Sequence, residues 1–356
     1  MTSYGVLGDA LRDVDCALAD ARQWDELIRR AREADLLGTL AYRLDAAGRF
    51  ADVPAAPRMH LESARVVGAA QHRAVAREVR EIARALAPLS TPIILLKGAA
   101  YLIAELPPAR GRLFSDVDIL VPKSLLPAVE SALMLAGYAT THHHPYDQRY
   151  YRRWMHELPP MQHIKRLTAL DVHHAIVPET ARAHPDTAAL FRAAVPVAGW
   201  NGVHVLAPPD MVLHSATHLF HNEDFSHGYR DLVDIDQLLR HFGGDAAFWS
   251  ALTTRATHMD LVRPLHYALR WSSRLLDTPV PAAALREIAG SAPGALPAAL
   301  MDVLVKHALR PTMGRRSTRL ARRLLYLRGH WLKMPVPLLA WHLTAKAFRR
   351  EQPASA

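Results

Sequence analysis

Two aspartates, Asp116 and Asp118, stand two residues apart inside an apolar run near the middle of the chain. Side chains alternate between the two faces of a β-strand, so residues two apart share a face. Two carboxylates held that close repel each other unless a cation or a hydrogen-bond network neutralises them. Val117, Ile119 and Val121 alternate with the acids and supply the apolar side of such a strand. The pattern therefore predicts a cation site on one face of a strand.

A third carboxylate, Asp171, lies in a second strand-like run, with His173 on the same face two residues later. Three carboxylates on neighbouring strands offer hard oxygen ligands to divalent cations, which favours two Mg²⁺ ions, with Mn²⁺ as the alternative. Two such ions can clamp a phosphoryl group, activating the incoming oxygen and stabilising the leaving one. The competing interpretation is structural, with Asp116 ending a turn, Asp118 capping a helix and Asp171 forming an ion pair.

Four residues near the aspartate pair are candidates for phosphate binding. Lys97 and Gly98 join a short apolar run to a helix-like segment, where glycine lets backbone amides approach phosphates and lysine adds positive charge. Arg110 and Arg112 follow in a loop flanked by proline and glycine. A planar guanidinium suits a triphosphate or pyrophosphate, although loop charges of this kind can also simply be solvated.

Hydrophobic patterning divides the chain into three regions: a helical N-terminal region (1–90), a β-rich core (91–206) and a helical C-terminal region with a basic tail (207–356). A long helix is predicted over 60–86, after a break at two prolines. The core strands are predicted at 93–96, 116–121, 138–142, 158–164 and 167–176, and its helices at 98–106 and 122–136. Later helices are predicted at 229–241, 246–257, 261–276 and 298–309. The fold class is therefore α+β.

Histidines cluster at two places. His214, His218 and His221 fall on one face of a predicted helix at a spacing compatible with metal ligation, but no carboxylate partner is evident. The alternatives are a polar helix face lining the active cleft or a structural role. The tract His142–His144 resembles a metal-binding sequence, but adjacent residues in a regular element cannot all face one ion, which favours a loop or strand edge.

Composition limits the classes of protein to consider. The 356 residues are half apolar, with a formal net charge of +9, which is typical of a folded protein with an anionic partner. The single cysteine, Cys16, excludes an intrachain disulfide and a cysteine-rich zinc site. No apolar run approaches the roughly 20 residues needed to span a bilayer, and the N-terminus lacks an apolar signal core, so a cytoplasmic location is predicted.

The tail, residues 310–350, carries many arginines and lysines and no acidic residue, with tryptophan and leucine interleaved. It is either a solvated pair of amphipathic helices or a surface for an anionic partner such as RNA, an acidic peptide or a membrane.

Together, LLKGAAY, RGRLFSDVDILVP and LDVHH resemble the nucleotidyltransferase-fold superfamily, in which a glycine-containing helix start precedes an Asp-x-Asp strand and a later third acid. More narrowly, the pattern LKG…R…DxD…DxH is similar to a bacterial group of uncharacterised nucleotidyltransferases. The helical N-terminus and the later run from His218 to Asp234 also fit, so the resemblance covers about residues 20–240. It implies a nucleotidyltransferase-like mixed β-sheet core.

The resemblance also implies roles for the acidic residues. Asp116 and Asp118 become metal ligands, and Asp171 becomes either a third ligand or the base that takes the acceptor's proton. Asp234 gains a supporting role because its helix lies near the catalytic strand in that family. His173, His218 and His221 are kept as supporting candidates.

For the nucleotide, the resemblance implies that Gly98 lines the triphosphate with Lys97 nearby. The superfamily's usual Gly-Ser or Gly-Gly pair is Gly98-Ala99 here, so a serine hydroxyl is missing. Contact with the triphosphate then falls to backbone amides and to Lys97, Arg110 or Arg112.

The implied activity is Mg²⁺-dependent transfer of a nucleoside monophosphate from an NTP to an acceptor hydroxyl, with release of pyrophosphate. The acceptor is a peptide, a small molecule or RNA. Three alternatives remain: a toxin that modifies tRNA, an enzyme that transfers phosphoryl groups or polyphosphorylates a peptide, and a degenerate nucleotide-binding module without catalysis.

Overall fold

The computed structural model describes residues 5–18, 21–141, 148, 151–152, 154–221, 224–310, 316–335, 337 and 339. Within these residues, helices occupy both ends of the chain and a seven-stranded mixed sheet lies between them. The predicted α+β fold is confirmed. The tract His142–His144 and most of the tail beyond residue 335 lie outside the described residues.

Within residues 5–18 and 21–92, the α-helices before the sheet are α1 (Gly5–Arg12), α2 (Asp15–Leu18), α3 (Trp24–Glu33), α4 (Leu37–Ala46) and α5 (Ala55–Leu86). Helix α5 begins earlier than the predicted residue 60. Pro54 is its N-cap and Pro57 falls in its first turn, where the missing amide hydrogen has no intrahelical partner to lose. These prolines therefore start the helix and do not separate it from the preceding residues.

The sheet has the strand order β3-β4-β5-β2-β1-β7-β6. Its strands are β1 (Ile93–Leu96), β2 (Asp116–Leu120), β3 (Tyr138–Thr140), β4 (Met161–His163), β5 (Ala169–His173), β6 (Val195–Pro196) and β7 (Val203–Val205). Strand β2 runs antiparallel to β1 and parallel to β5. The first predicted strand is confirmed with its predicted bounds and the other four within shorter bounds. Strands β6 and β7 were not predicted because two or three residues are too few to show a period.

Among the described residues, the helices between strands that have defined bounds are α6 (Lys97–Ile103), α7 (Leu126–Leu135) and α8 (Thr187–Ala193). Helix α6 follows β1 without an intervening loop and packs on both β1 and β2. Helix α7 ends just before Gly137, whose φ of +96° fits the predicted C-terminal glycine.

In the part of the chain after the sheet that the structure describes, the helices with defined bounds are α9 (Pro208–His221), α10 (Gly228–Phe242), α11 (Ala246–His258), α12 (Val262–Leu276), α13 (Ala282–Glu287), α14 (Ala295–Ala308) and α15 (Arg316–Lys333). Helix α9 is buried on nearly all sides between α6, α10, α11 and α12. One buried apolar cluster runs from α1 to α15, so the hydrophobic core is continuous across the three predicted regions. The boundaries of these regions stay a prediction. None of the described helices combines the length and apolar character needed to cross a bilayer.

The loop between α6 and β2 is fastened to the N-terminal helices by close backbone packing. A Cβ on Gly38 of α4 would lie 2.2 Å from the carbonyl oxygen of Gly111, and Gly111 itself has a φ of +75°. Two side chains of α5 add hydrogen bonds: His72 Nε2 lies 3.0 Å from the Arg112 carbonyl oxygen, and Gln71 accepts from the Phe114 amide at 2.9 Å. The N-terminal helices therefore set the position of Arg112.

We expect Gly38→Ala to lower the free energy of unfolding by about 2 kcal/mol, because the added methyl group must push the backbone of this loop away from α4. Gly68→Ala is the matched control, since a Cβ there meets nothing within 4 Å in the middle of α5. It should raise stability by up to about 1 kcal/mol. Denaturant unfolding measures both, and equal effects of the two substitutions would contradict the proposed packing.

Candidate active site

Strand pairing brings two of the three predicted carboxylates together. In the parallel pairing of β2 with β5, Asp118 lies directly opposite Asp171, and Asp116 lies opposite Ala169. Residues in register on adjacent strands point to the same face of a sheet, so Asp118 and Asp171 are neighbours on the face that also carries Asp116. A period of two predicts only the shared face of Asp116 and Asp118; the register that sets Asp171 opposite Asp118 is an observation of the structure.

Lys97 occupies a strained position at the junction of β1 and α6. Its φ is +47°, in the left-handed region that costs a residue with a Cβ about 1–2 kcal/mol. Its Nζ donates a hydrogen bond to Asp118 Oδ1 at 3.1 Å. Burial lowers the pKa of Lys97, but the Asp118 and Asp116 carboxylates outweigh that effect and raise it, so the ammonium group stays charged.

His173 of β5 contacts the same oxygen from the other side. Its Nε2 lies 2.9 Å from Asp118 Oδ1, and its Nδ1 lies 3.2 Å from Glu157 Oε2. Burial opposes ionisation of Asp118, yet Lys97 and His173 hold the pKa of its carboxyl well below the usual range. Among the described residues, both hydrogen bonds to this carboxylate end on Oδ1, so Oδ2 is the oxygen that remains for a cation.

Asp171 has the opposite electrostatic character. Burial, together with the Asp118, Glu157 and Asp116 carboxylates, raises the pKa of Asp171 to about 7. The group is therefore protonated about half of the time at neutral pH in the absence of an ion. Around Asp171 negative charge exceeds positive charge, and all three aspartates offer hard oxygen donors, so the donor set fits Mg²⁺.

A cavity of about 290 Å³ opens beside these residues. Seven of the residues predicted from sequence line it: Lys97, Gly98, Arg112, Asp116, Asp118, His218 and Asp234. The structure does not bring four others to its wall: Arg110, Asp171, His173 and His221. Asp171 and His173 adjoin the cavity through Asp118, whereas Arg110 and His221 are separate from it.

Arg112 forms part of the cavity wall. It is buried and makes an ion pair with Asp234 of α10. Burial raises the pKa of Asp234 to about 6; Arg112 opposes this rise and Asp231 adds to it. Asp234 is therefore mostly ionised at neutral pH. Gly98 is required beside them, because a Cβ there would lie 2.7 Å from the Phe114 ring and 3.1 Å from Arg112 Nε.

The far wall of the cavity is a polar network that the sequence did not predict. His218 Nδ1 lies 3.6 Å from Asp231 Oδ2, and Arg230 donates to Asp231 Oδ1 at 3.0 Å. Next to it, His227 lies 2.6 Å from Asp35, which precedes α4. Arg230 and Asp234 are four residues apart and could have paired along the helix, but each pairs elsewhere. Apart from the pairing of the adjacent residues Arg230 and Asp231, these contacts join separate segments and leave no local signal in the sequence.

Two predicted site residues lie apart from the cavity. The guanidinium group of Arg110 is exposed and stacks over the Tyr42 ring, 5.4 Å from its centroid. His221 is buried at the end of α9, where burial and the nearby cations Arg328, Lys333 and Arg263 lower its pKa to about 4. Within the described chain, His214, His218 and His221 do not converge into a metal-binding group.

A family model described as "Uncharacterised nucleotidyltransferase" matches residues 20–277. The matched part contains the whole sheet, the three aspartates and every cavity-lining residue named above. Comparison with curated proteins and with solved structures gives no match.

We expect the affinity of the protein for Mg²⁺ or Mn²⁺ to rise with pH through about 7, because Asp171 must lose its proton before it can bind an ion. Below pH 7 the affinity should fall by about tenfold per pH unit for one displaced proton. Calorimetry or Mn²⁺ paramagnetic resonance measures the profile. Asp171→Asn should bind more weakly and lose this dependence, while the exposed Asp25→Asn should retain it. An unchanged slope in Asp171→Asn would refute the assignment.

Lys97→Met should bind the same ion about tenfold more tightly, since the ammonium group that now neutralises Asp118 would no longer compete with the ion. The same variant should bind nucleotide more weakly because a phosphate-facing charge is lost. Lys123→Met is a suitable control, since Lys123 is exposed and pairs with Glu179. Weaker ion binding by Lys97→Met would show that Lys97 supports the ion and does not compete with it.

Proposed function

Because the chain belongs to the family of uncharacterised nucleotidyltransferases, we propose that it transfers a nucleoside monophosphate from an NTP to an acceptor hydroxyl and releases pyrophosphate. The observation that carries this proposal is the register of β2 and β5, which sets Asp118 beside Asp171 and places Asp116 on the same face at the cavity. Carboxylates on adjacent strands suit a site at which phosphate groups and divalent ions meet.

Asp116, Asp118 and Asp171 would hold Mg²⁺, with two ions expected and Mn²⁺ as the alternative. When bound, such ions neutralise phosphate charge and activate the attacking oxygen. Asp118 enters this role already ionised, since its pKa is depressed. Oδ1 of Asp118 is held by Lys97 and His173, so its carboxylate is oriented before any ion arrives.

Lys97 and Arg112 are proposed to bind the phosphates of the NTP. Both line the cavity, and Lys97 is charged. Arg112 is anchored by Asp234, and its Nε is buried with no hydrogen-bond partner among the described residues. Gly98 keeps the backbone free of a side chain at this wall. Arg110 is a weaker candidate because it lies against Tyr42.

The proton of the acceptor hydroxyl needs a base within reach of the cavity. Burial lowers the pKa of His218, so this histidine is neutral at neutral pH, and it lines the cavity with Asp231 beside its Nδ1. A neutral imidazole oriented by a carboxylate has the chemistry of a general base. We therefore propose His218 for this task and Asp171 as a metal ligand, with Asp171 as the alternative base.

The contacts described above do not select the acceptor or the nucleobase of the NTP. On α15 the exposed face carries Arg316, Arg319 and Arg323 beside Leu320 and Leu324, which favours an anionic partner for the basic tail. This surface suits RNA, and so keeps the tRNA-modifying toxin as an alternative, but it equally suits an acidic peptide. A cytoplasmic location stays a prediction, which cell fractionation tests.

Incubation with each labelled NTP and Mg²⁺ in a lysate, followed by mass analysis of the labelled product, tests the proposal. A mass increase of one nucleotide is expected. An increase of one or more phosphates would instead establish the phosphoryl-transferring or polyphosphorylating alternative. Nucleotide binding without any product, with all three aspartates intact, would establish the non-enzymatic module.

We expect Asp116→Asn and Asp118→Asn to lower the rate of transfer by about 10³-fold, since each removes a carboxylate that acts on the charged phosphates. Asp116 is partly exposed, so its variant should keep the unfolding midpoint of the parent protein. Asp260→Asn, at an exposed turn beyond α11, is the matched control and should transfer at the parent rate. Full activity in both active-site variants would refute the proposed site.

A further inference from the structure

Three potential metal ligands converge on the side of His173 that faces away from Asp118. One ligand atom from each of His156, Glu157 and His173 lies within 4.8 Å of the others. His173 Nδ1 and Glu157 Oε2 are 3.2 Å apart. None of the three residues lines the cavity beside the aspartates. The group therefore lies next to the candidate active site and contacts it through the hydrogen bond between His173 and Asp118.

One member of this group also carries an unsatisfied buried atom. The Nδ1 atom of His156 is buried and has no hydrogen-bond partner among the described residues. Buried polar atoms are nearly always satisfied, so an orphan of this kind calls for a missing water or ion. The segment that carries it is held in place, since the His174 amide donates to the His156 carbonyl oxygen at 2.8 Å.

One separation within the group matches that between two ligands of a small divalent ion. Metal–nitrogen and metal–oxygen bonds to zinc are about 2.0–2.2 Å, so two ligands of one tetrahedral ion lie roughly 3.3 Å apart. The separation of His173 Nδ1 from Glu157 Oε2 is close to this value. Two imidazoles and one carboxylate favour Zn²⁺ and other transition metals over Mg²⁺, which prefers oxygen alone.

The second nitrogen of His173 supports the same conclusion. Its Nε2 lies 2.9 Å from Asp118 Oδ1, a partner that can only accept a hydrogen bond, so the proton of a neutral His173 sits on Nε2. The Nδ1 atom, which then carries the lone pair, faces Glu157 Oε2 at 3.2 Å. A histidine whose far nitrogen donates to a carboxylate while its near nitrogen binds an ion is the usual arrangement around zinc.

We propose that His156, Glu157 and His173 bind one transition-metal ion of the Zn²⁺ type, separate from the Mg²⁺ proposed at the three aspartates. The ion fixes the tautomer and the orientation of His173, and through the Nε2 hydrogen bond it positions Asp118. His156 and Glu157 are thus positioning residues for the Asp118 carboxylate. Binding of this ion does not depend on the proposed transfer reaction.

The full-length chain without an affinity tag, stripped with a chelator, is titrated with Zn²⁺ by calorimetry in the presence of excess Mg²⁺. One ion per chain is expected, together with a rise in the thermal unfolding midpoint. His156→Gln and Glu157→Gln should each weaken Zn²⁺ binding by at least tenfold, and Asp118→Asn by about 10- to 100-fold as an outer partner of His173. Co²⁺ in place of Zn²⁺ should show the visible absorption of a low-coordinate site.

Two matched controls separate this site from other histidines. His174→Gln alters the adjacent residue, which lines a different cavity, and should bind Zn²⁺ as the parent does. The triple variant H142A/H143A/H144A removes the histidine tract and should also retain binding. Loss of binding in the triple variant with retention in His156→Gln and Glu157→Gln would overturn the proposal. So would the absence of a stoichiometric Zn²⁺ site, or binding that Asp116→Asn abolishes and His156→Gln leaves unchanged.

A destabilised His156→Gln variant could lose zinc for trivial reasons, so its metal-free unfolding midpoint is compared with that of metal-free parent protein. Glu157→Gln, which is half-buried and nearly isosteric, provides the second variant. Similar metal-free midpoints together with the loss of the zinc-induced rise support the site. A zinc-induced rise that persists in Glu157→Gln and in His156→Gln refutes it.

Discussion

The ionised carboxylate of Asp118 is buried in the sheet, and the neighbouring structure is arranged to keep it charged. Isolating such a charge from water is costly unless cations and hydrogen-bond donors surround it. Lys97 and His173 both contact its Oδ1, and they come from the end of β1 and from β5, on either side of β2. Three adjacent strands are thereby tied to one oxygen atom. The left-handed φ of Lys97 is the local strain that this arrangement requires.

The same constraint explains why the cavity draws on all three predicted regions of the chain. Asp35 from the N-terminal helices supports His227, the loop carrying Arg112 rests on α4 and α5, and α9 and α10 close the far wall. A cavity of this kind cannot be assembled by the β-rich core alone. The buried apolar cluster that runs through the N-terminal helices, the sheet and the C-terminal helices provides the required rigidity. The helical regions are therefore part of the site's construction as well as of its surroundings.

How much the sequence could predict depended on how local each signal was. The shared face of Asp116 and Asp118 followed from one apolar run of period two, and both the strands and the fold class were confirmed. The register that sets Asp171 beside Asp118 did not follow from any local pattern. Contacts between distant segments were not accessible: Arg112 and Asp234 lie 122 residues apart, and Glu157 lies outside the named strands. The contrast between Arg110 and Arg112 makes the same point. They share one loop and one residue type, yet the left-handed turn at Gly111 between them leaves only Arg112 in the cavity.

The charge of the cavity bears on how a nucleotide could enter it. The chain as a whole carries a formal charge of +9, yet the described cavity lining contains five aspartates, Asp116, Asp118, Asp224, Asp231 and Asp234, against three cationic side chains, Lys97, Arg112 and Arg230. Such a lining repels a free triphosphate, because like charges at short range in a partly dehydrated site interact strongly. The basic surface can raise the local concentration of anions, but it cannot reverse the field inside the cavity. Divalent ions at the aspartates would reverse it, so the excess of acid in the cavity is itself an argument that nucleotide and metal bind together.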